Sequence, residues 1–431
     1  MSAGQSPGEA LVSLAAPVIR RVAEPAALRY YQWRGDPVAR WMLPETKADP
    51  YPLYEGIRRR GLVRSPLGPY ATASHATAES ILRDRRFSSS PVHARGYRPP
   101  SYPRGDPRAG LPGADLLTLD PPDHTRIRRL VSGAFTPRAI DGLEPWIRDV
   151  TGRLLESADA AGFDLIDALA FPLPIAVICR LLGVPPQDQV LFRAWGHDVA
   201  ATLEPQTRRA AEGDPHSAEL ALTAYLGDLV RERRAAPDDS LLSALIAAGE
   251  DDDRLSPDEL VATALLLLVA GFETTVNLIG NGVVALLGEP SQWERLREDP
   301  ALIPGAVEEL LRYDSPVQLT SRIATEDVDV DGTMIRKGTP VMVAIGGANR
   351  DPEVFGDPGR LRVDRPNAAR HLSFSFGMHH CLGAPLARLE GRVALEELIR
   401  RYPRLRLAGT PVRRPLLVLR GFESVPVRSA P

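Results

Sequence analysis

HLSFSFGMHHCLGAPLAR, residues His371 to Arg388, is the part of the chain around which the rest is organised. It contains Cys381, one of only two cysteines, just ahead of a run at helical spacing (Leu386, Leu389, Val393, Leu398). A cysteine entering a helix N-terminus faces free backbone N–H groups and the positive end of the dipole, which favours its thiolate. Gly377 and Gly383 remove side chains on both sides, so the backbone can fold tightly and a flat group can lie close. Phe374 and Phe376 supply apolar walls. A thiolate in a tight, apolar-walled loop suits an axial ligand of haem iron.

Two other readings compete. A lone cysteine is more often a small buried apolar residue, and Cys381 by itself favours that reading. Zinc on His379, His380 and Cys381 is disfavoured, because zinc draws four converging ligands at recognisable spacing. Adjacent residues rarely aim at one centre, and no second Cys/His pair completes the set.

The stretch resembles the haem-binding loop of the cytochrome P-450 haem-thiolate monooxygenases, F-x-x-G-x-H-x-C, in Phe374, Gly377, His379 and Cys381, followed by LG and LAR. The resemblance implies haem b (iron protoporphyrin IX) as cofactor, Cys381 as the proximal metal ligand, Phe374 beside it and His379 reaching a propionate. Ser375 stands where many members carry Gly, so the turn is expected to differ slightly there.

Composition narrows the class. A net charge of −3 argues against a nucleic-acid binder, which is usually basic. Cys179 and Cys381 offer no disulfide framework and fit a reducing cytoplasm. The apolar run from Leu11 to Ile19 contains Ser13 and Pro17, falls far below the ~20 residues of a membrane span, and has no basic segment ahead of it. The expectation is a cytoplasmic protein without a membrane span. Residues 1–45 match no motif and read as an extension, packed on the surface or partly mobile, leaving 46–431 as one domain.

From Asp49 the chain reads as a short helix, then strand, turn and helix through ATASHATAESILRDRRFSSS. Residues 91–115 are rich in Pro, Gly and Arg, and match the substrate-facing lid of the family. Arg95, Arg98, Arg104 and Arg108 there read as water-facing, with an acidic or carrier-linked substrate as the alternative. In LDPPDHTRIRRLVSGAFTPR, Asp123 can cap a helix that places His124 and Arg128 on one face, where they can grip a carboxylate. Without the family this is an ordinary helix-surface couple; the family's H-x-x-x-R implies that both hold haem propionates. Arg126 and Arg129 point elsewhere, with an acidic electron donor as a possible partner. Residues 139–250 read as helical, with Cys179 in a buried helix and Glu204–Asp214 as a loop over the site.

Ser256, Pro257 and Glu259 form a helix start, and the helix can run to about Gly288, ~46 Å long. Leu260–Ala270 is apolar nearly all round, so this helix belongs in the interior. Ala270 and Gly271 leave room for a ligand, and Glu273 beside Thr274 invites proton relay. On helix grounds alone a threonine bonded to its own i−4 carbonyl is the simpler reading. The match to the family's A-G-x-[D/E]-T implies that Glu273 and Thr274 guide protons to oxygen. Glu309 and Arg312 match the family's structural E-x-x-R, with Arg360 expected as the third member, and Arg322 matches an arginine that reaches the other propionate. Val317–Thr320 is expected to line the pocket. VDVDGTMIRKGTPVMVAI and the 413–427 tail read as strands around Gly-containing turns.

Taken together, the matches imply a mainly α protein with a small β region, a single large haem-enclosing domain of the cytochrome P-450 fold. The implied reaction inserts one oxygen atom from O2 into a small organic substrate by hydroxylation or epoxidation. The chain has no flavin- or nucleotide-binding text, so electrons are expected from a separate ferredoxin or flavodoxin. The alternative is a haem-binding sensor or ligand-binding protein that oxidises nothing.

Overall fold

The computed structural model describes residues 26–97, 116–200, 215–248 and 254–429. Arg98, Arg104, Arg108 and the 204–214 loop lie outside them. The helices that place the site are α1 (Asp123–Ser132), α2 (Glu144–Glu156), α3 (Pro172–Leu182), α4 (Gln189–Ala200), α5 (Pro215–Ala235), α6 (Pro257–Gly288), α7 (Ile303–Tyr313) and α8 (Ala384–Arg401).

The α6 helix forms the axis of the fold. Its start is fixed by a reciprocal cap: Ser256 Oγ accepts from Glu259 N–H (3.2 Å) while Ser256 N–H donates to Glu259 Oε2 (2.8 Å). Pro257 occupies the first turn, where no N–H is needed. Thirty-two residues span ~48 Å. Among the described residues α6 is the one helix long and apolar enough to cross a bilayer, yet 67% of that window is buried inside the protein. It packs on α3, α5, α7 and α8. Cys179 on α3 is fully buried in this core, as its apolar surroundings in the sequence suggest.

The β region is smaller and lies to one side. Five strands run in the order β1 (Val63–Arg64), β2 (Tyr70–Thr72), β8 (Pro340–Ala344), β5 (Leu319–Ala324), β3 (Phe87–Ser88), with only β2–β8 parallel. The expected hairpin forms between β6 (Val328–Val330) and β7 (Thr333–Ile335), turning through Asp331 and Gly332, both at positive φ (51° and 77°). In the tail, β10 (Val412–Arg413) pairs with β11 (Phe422–Ser424), and β12 (Pro426–Ser429) lies between β4 (Phe163–Asp164) and β9 (Leu405–Leu407). Within the 1–45 stretch, the described helix Pro37–Trp41 buries Trp41 completely against Tyr54 and Ile57.

Candidate functional site: a cysteine loop beside a buried cationic pocket

Cys381 lies three residues before α8, held by its own loop. Its N–H donates to Phe374 O (2.8 Å), Ser375 N–H to Leu372 O (2.8 Å), and His380 N–H to Gly377 O (3.1 Å). Gly377 sits at φ +71°, and a Cβ there would stand 2.5 Å from Leu82 O, so only glycine fits. Ser375 takes the left-handed conformation as well, at φ +59°: the turn keeps a glycine's shape with a residue that pays a steric cost for it. The Phe374 ring is wedged between His371 (5.5 Å), His380 (6.4 Å) and the Arg388 guanidinium (4.6 Å). Arg388 is in turn fixed by Glu308, at 2.6 and 2.9 Å.

Cys381 presents open surface on one side. Protein atoms crowd its other sides, and this burial pushes the thiol pKa up. The N–H groups of Gly383 and Ala384 and the charges of Arg128 and Arg388 oppose that rise and favour the thiolate. The helix N-terminus therefore pulls toward the thiolate, but burial outweighs it and the thiol's pKa stands raised overall.

Beside the loop the structure gathers His124, Arg128, Arg322 and His379. The two imidazole rings lie 4.4 Å apart, and the buried Nε2 of each has no hydrogen-bond partner among the described residues. Arg322 is 4% exposed on β5 and, among the described residues, donates only to Thr320 Oγ1 (3.2 Å) and Ser321 O (2.8 Å). Burial lowers it to about 10, opposed only in part by the charge of Asp120. Arg128 donates to His380 O (2.7 Å), and burial lowers it too. His379 drops to about 4, first through burial, then through the charge of Arg322 and of His124. Two guanidinium groups withdrawn from water, with no carboxylate in ion-pair contact among the described residues, are costly unless an anion completes the site. The carboxylates of a haem propionate pair meet that requirement, and the orphaned Nε2 atoms offer hydrogen bonds to them. The residues present fit the group.

On α6, Ala270 is exposed and Thr274 half-exposed, while Leu268, Val269, Phe272, Glu273 and Thr275 around them are buried. Thr274 Oγ1 donates to Ala270 O (2.8 Å), which commits its proton and leaves its lone pairs as acceptors. Glu273 does not share that open strip. It is fully buried and paired through Oε1 with Arg414 Nη1. Arg414, just past β10 and 141 residues away, is a site residue that spacing along the helix gave no means of finding.

Two expectations need correcting. The third member of the Glu309–Arg312 cluster is Arg365, not Arg360. Arg312 reaches the Glu309 carboxylate at 2.6 and 2.8 Å and Arg365 Nε reaches both oxygens at 3.0 Å. Arg360 follows the turn at Asp357, leaves its side chain exposed, and contributes only its carbonyl, to Arg365 (2.9 Å) and Arg312 (3.4 Å). Nor does Arg126 stand free for a partner: it is paired with Glu259 in the first turn of α6. Arg95 is anchored through its N–H to Gly338 O (2.9 Å), with its guanidinium on Lys337 O (3.3 Å).

Comparison with known proteins shows the family to which the chain belongs. Residues 216–415 match the family model described as cytochrome P-450. The chain is 42% identical over 396 residues to the vitamin D(3) 25-hydroxylase of Pseudonocardia autotrophica, covering 89% of this chain and 94% of that one. The chain belongs to the cytochrome P-450 family. It is also 43% identical over 363 residues to the 6-deoxyerythronolide B hydroxylase of Saccharopolyspora erythraea, covering 81% and 88% of the two chains. The ligand-free crystal structure of Mycobacterium smegmatis CYP164A2 superposes with a TM-score of 0.81 at 41% identity, covering 91% of this chain and 99% of that one. As a bacterial-type cytochrome P-450, the protein is a haem-thiolate monooxygenase, an oxidoreductase of the P-450 fold.

Proposed function

We propose that this cytochrome P-450 inserts one atom of O2 into a small organic molecule by hydroxylation or epoxidation, with electrons supplied by a separate ferredoxin or flavodoxin in the cytoplasm. The observation that carries the reading is the cluster next to Cys381: buried Arg322 and His124 with half-buried Arg128 and His379, both imidazole Nε2 atoms unpartnered and neither arginine in an ion pair among the described residues, with Asp120 the one acid whose charge reaches Arg322.

In this reading haem b is the cofactor, and when bound it supplies oxygen activation at an iron ligated by the Cys381 thiolate. His124, Arg128, Arg322 and His379 hold its propionates. Phe374, clamped by His371 and Arg388, shields the sulfur from water. Ala270 has no side chain beyond Cβ and leaves space for substrate against α6, with Val317 and Thr320 on a neighbouring wall. Thr274, its own proton engaged with Ala270 O, accepts a hydrogen bond at the oxygen side of the site. Glu273 supplies protons to it, held in place by Arg414.

The test is a haem titration of the purified haem-free chain, followed by turnover with a ferredoxin–reductase couple and a library of apolar ligands. Stoichiometric haem uptake with oxygenated product supports the reading. Haem uptake with no product from any ligand supports a sensor instead. Failure to take up haem refutes both.

A further inference from the structure

Residues 26–33 are helical, and the face they expose is the one a helix resting on a protein core would hide. Ala26, Tyr30 and Trp33 fall at i, i+4 and i+7, the stripe that a surface helix normally turns inward. Here all three are exposed, Tyr30 at 53% and Trp33 at 78%, with the two rings 6.2 Å apart. The side toward the protein is held instead by a polar contact, Gln32 Nε2 donating to Ala39 O (3.1 Å). The β1–β2 turn is tied to the end of this helix through Asp36. Asp36 N–H donates to Tyr31 O (2.9 Å), and its Oδ1 accepts from Ser65 Oγ (3.0 Å). Ser65 Oγ in turn accepts from the N–H of Leu67 (3.0 Å), whose side chain stands out from the turn at 41% exposure.

Around these apolar groups the exposed charge has one sign. In 26–44 and 60–69 the basic residues are Arg29, Arg34, Arg40, Arg60 and Arg64, all exposed. The one acid in those two segments is Asp36, which is buried and also accepts from Ala39 N–H (2.8 Å). The ion pairs nearby join Glu55 to Arg58 and Arg59 and leave those five arginines out. Just upstream, the sequence from Leu11 to Val22 adds aliphatic residues and the pair Arg20 and Arg21. The whole chain carries a net charge of −3, so a cationic face of this kind is a local feature. Tryptophan and tyrosine flanked by arginine suit the boundary of a bilayer, where the rings sit at headgroup level and the guanidinium groups meet anionic lipid. A second copy of the chain fits less well, because a two-fold contact would set this cationic face against itself.

We propose that the face formed by residues 26–33 and the β1–β2 turn binds the surface of an anionic bilayer. Tyr30, Trp33 and Leu67 enter the headgroup layer, and Arg29, Arg34, Arg40 and Arg64 hold lipid headgroups around them. The attachment is peripheral: no segment crosses the bilayer, and the charges of the arginines make it sensitive to salt. Such attachment keeps the protein at the phase in which apolar molecules collect.

The test is co-sedimentation of the full, haem-loaded chain with lipid vesicles. Wild type is expected to bind vesicles of phosphatidylcholine containing one third phosphatidylglycerol and to ignore phosphatidylcholine alone. Salt at about 1 M, where the Debye length is about 3 Å, is expected to release it. Arg34→Gln combined with Arg64→Gln should weaken binding about 25-fold, about fivefold for each arginine. Tyr30→Ser combined with Trp33→Ser should weaken it roughly tenfold. Arg406→Gln, at an exposed arginine on β9, should leave it unchanged. All five side chains are exposed, so haem content and thermal midpoint should stay at wild-type values and show that the variants fold. No binding to the anionic vesicles at low salt overturns the proposal with no variant needed. Equal binding to neutral lipid, or full binding by both double variants, overturns it as well. Sedimentation velocity identifies the rival occupant: a dimer that forms without lipid and disappears in the Tyr30→Ser, Trp33→Ser variant makes this face a contact between copies and removes the bilayer from the account.

Discussion

Arg365→Met should destabilise the protein by about 3–5 kcal/mol, whereas Arg360→Ala should change stability by no more than ~0.5 kcal/mol. The magnitude follows from what each side chain touches. Arg365 is 6% exposed, bonds both oxygens of Glu309 at 3.0 Å, and donates to Gly356 O (2.6 Å) and Asp357 O (3.2 Å). Losing the charged bonds removes about 1.5–3 kcal/mol, and the two carbonyls left without donors cost about 1 kcal/mol each. The methionine keeps the apolar contacts of the stem, which offsets a small part. Arg360 has an exposed side chain, and its carbonyl is unaffected by substitution. The assay is urea unfolding followed by tryptophan fluorescence and circular dichroism on the two variants and the wild type. Equal losses for both variants, or a larger loss for Arg360→Ala, would refute the assignment of the cluster.

Other consequences are equally direct. Ser375→Gly removes a left-handed serine and should stabilise the loop by up to about 1 kcal/mol, read as a raised midpoint in thermal unfolding; Ser375→Val should lower it. Glu390 is 1% exposed, and burial pushes its carboxyl well above the ordinary range. The native state therefore holds a proton that the unfolded chain releases above pH ~4.3, so stability falls as pH rises from there; Glu390→Gln should flatten that slope and be the more stable form at pH 8 in denaturant titrations. Glu308 behaves in the opposite sense. Burial raises its pKa, but hydrogen bonds from His371 and Arg388 prevail and hold it at about 2. Its contribution is present above pH ~4.3 and is lost as pH falls toward 2, and Glu308→Gln should remove that acid-side slope.

What could be read from the letters was what is local along the chain. The Ser256–Glu259 cap, the bounds of α6, the Asp331–Gly332 hairpin and the cysteine at the start of α8 each depend on residues within a few positions of one another. His124 and Arg128 are one helical turn apart, so their shared face was legible as well. The errors came where several similar residues competed for one distant partner. RLRVDR offers Arg360, Arg362 and Arg365 to Glu309, and only the turn at Asp357 decides which of them points inward. Arg414 and Glu273 lie 141 residues apart, and nothing in either neighbourhood names the other. Arg126 looked free because its partner Glu259 sits in a separate motif, 133 residues on.

The claim on which everything else depends is that the Cys381 sulfur is the iron ligand. The spectrum of the reduced carbon monoxide complex reports it directly in the wild type and in Cys381→His. The wild type should show the red-shifted thiolate-type band and the variant should lose it while still taking up haem through His124, Arg128, Arg322 and His379. A thiolate-type band that survives Cys381→His would contradict the account.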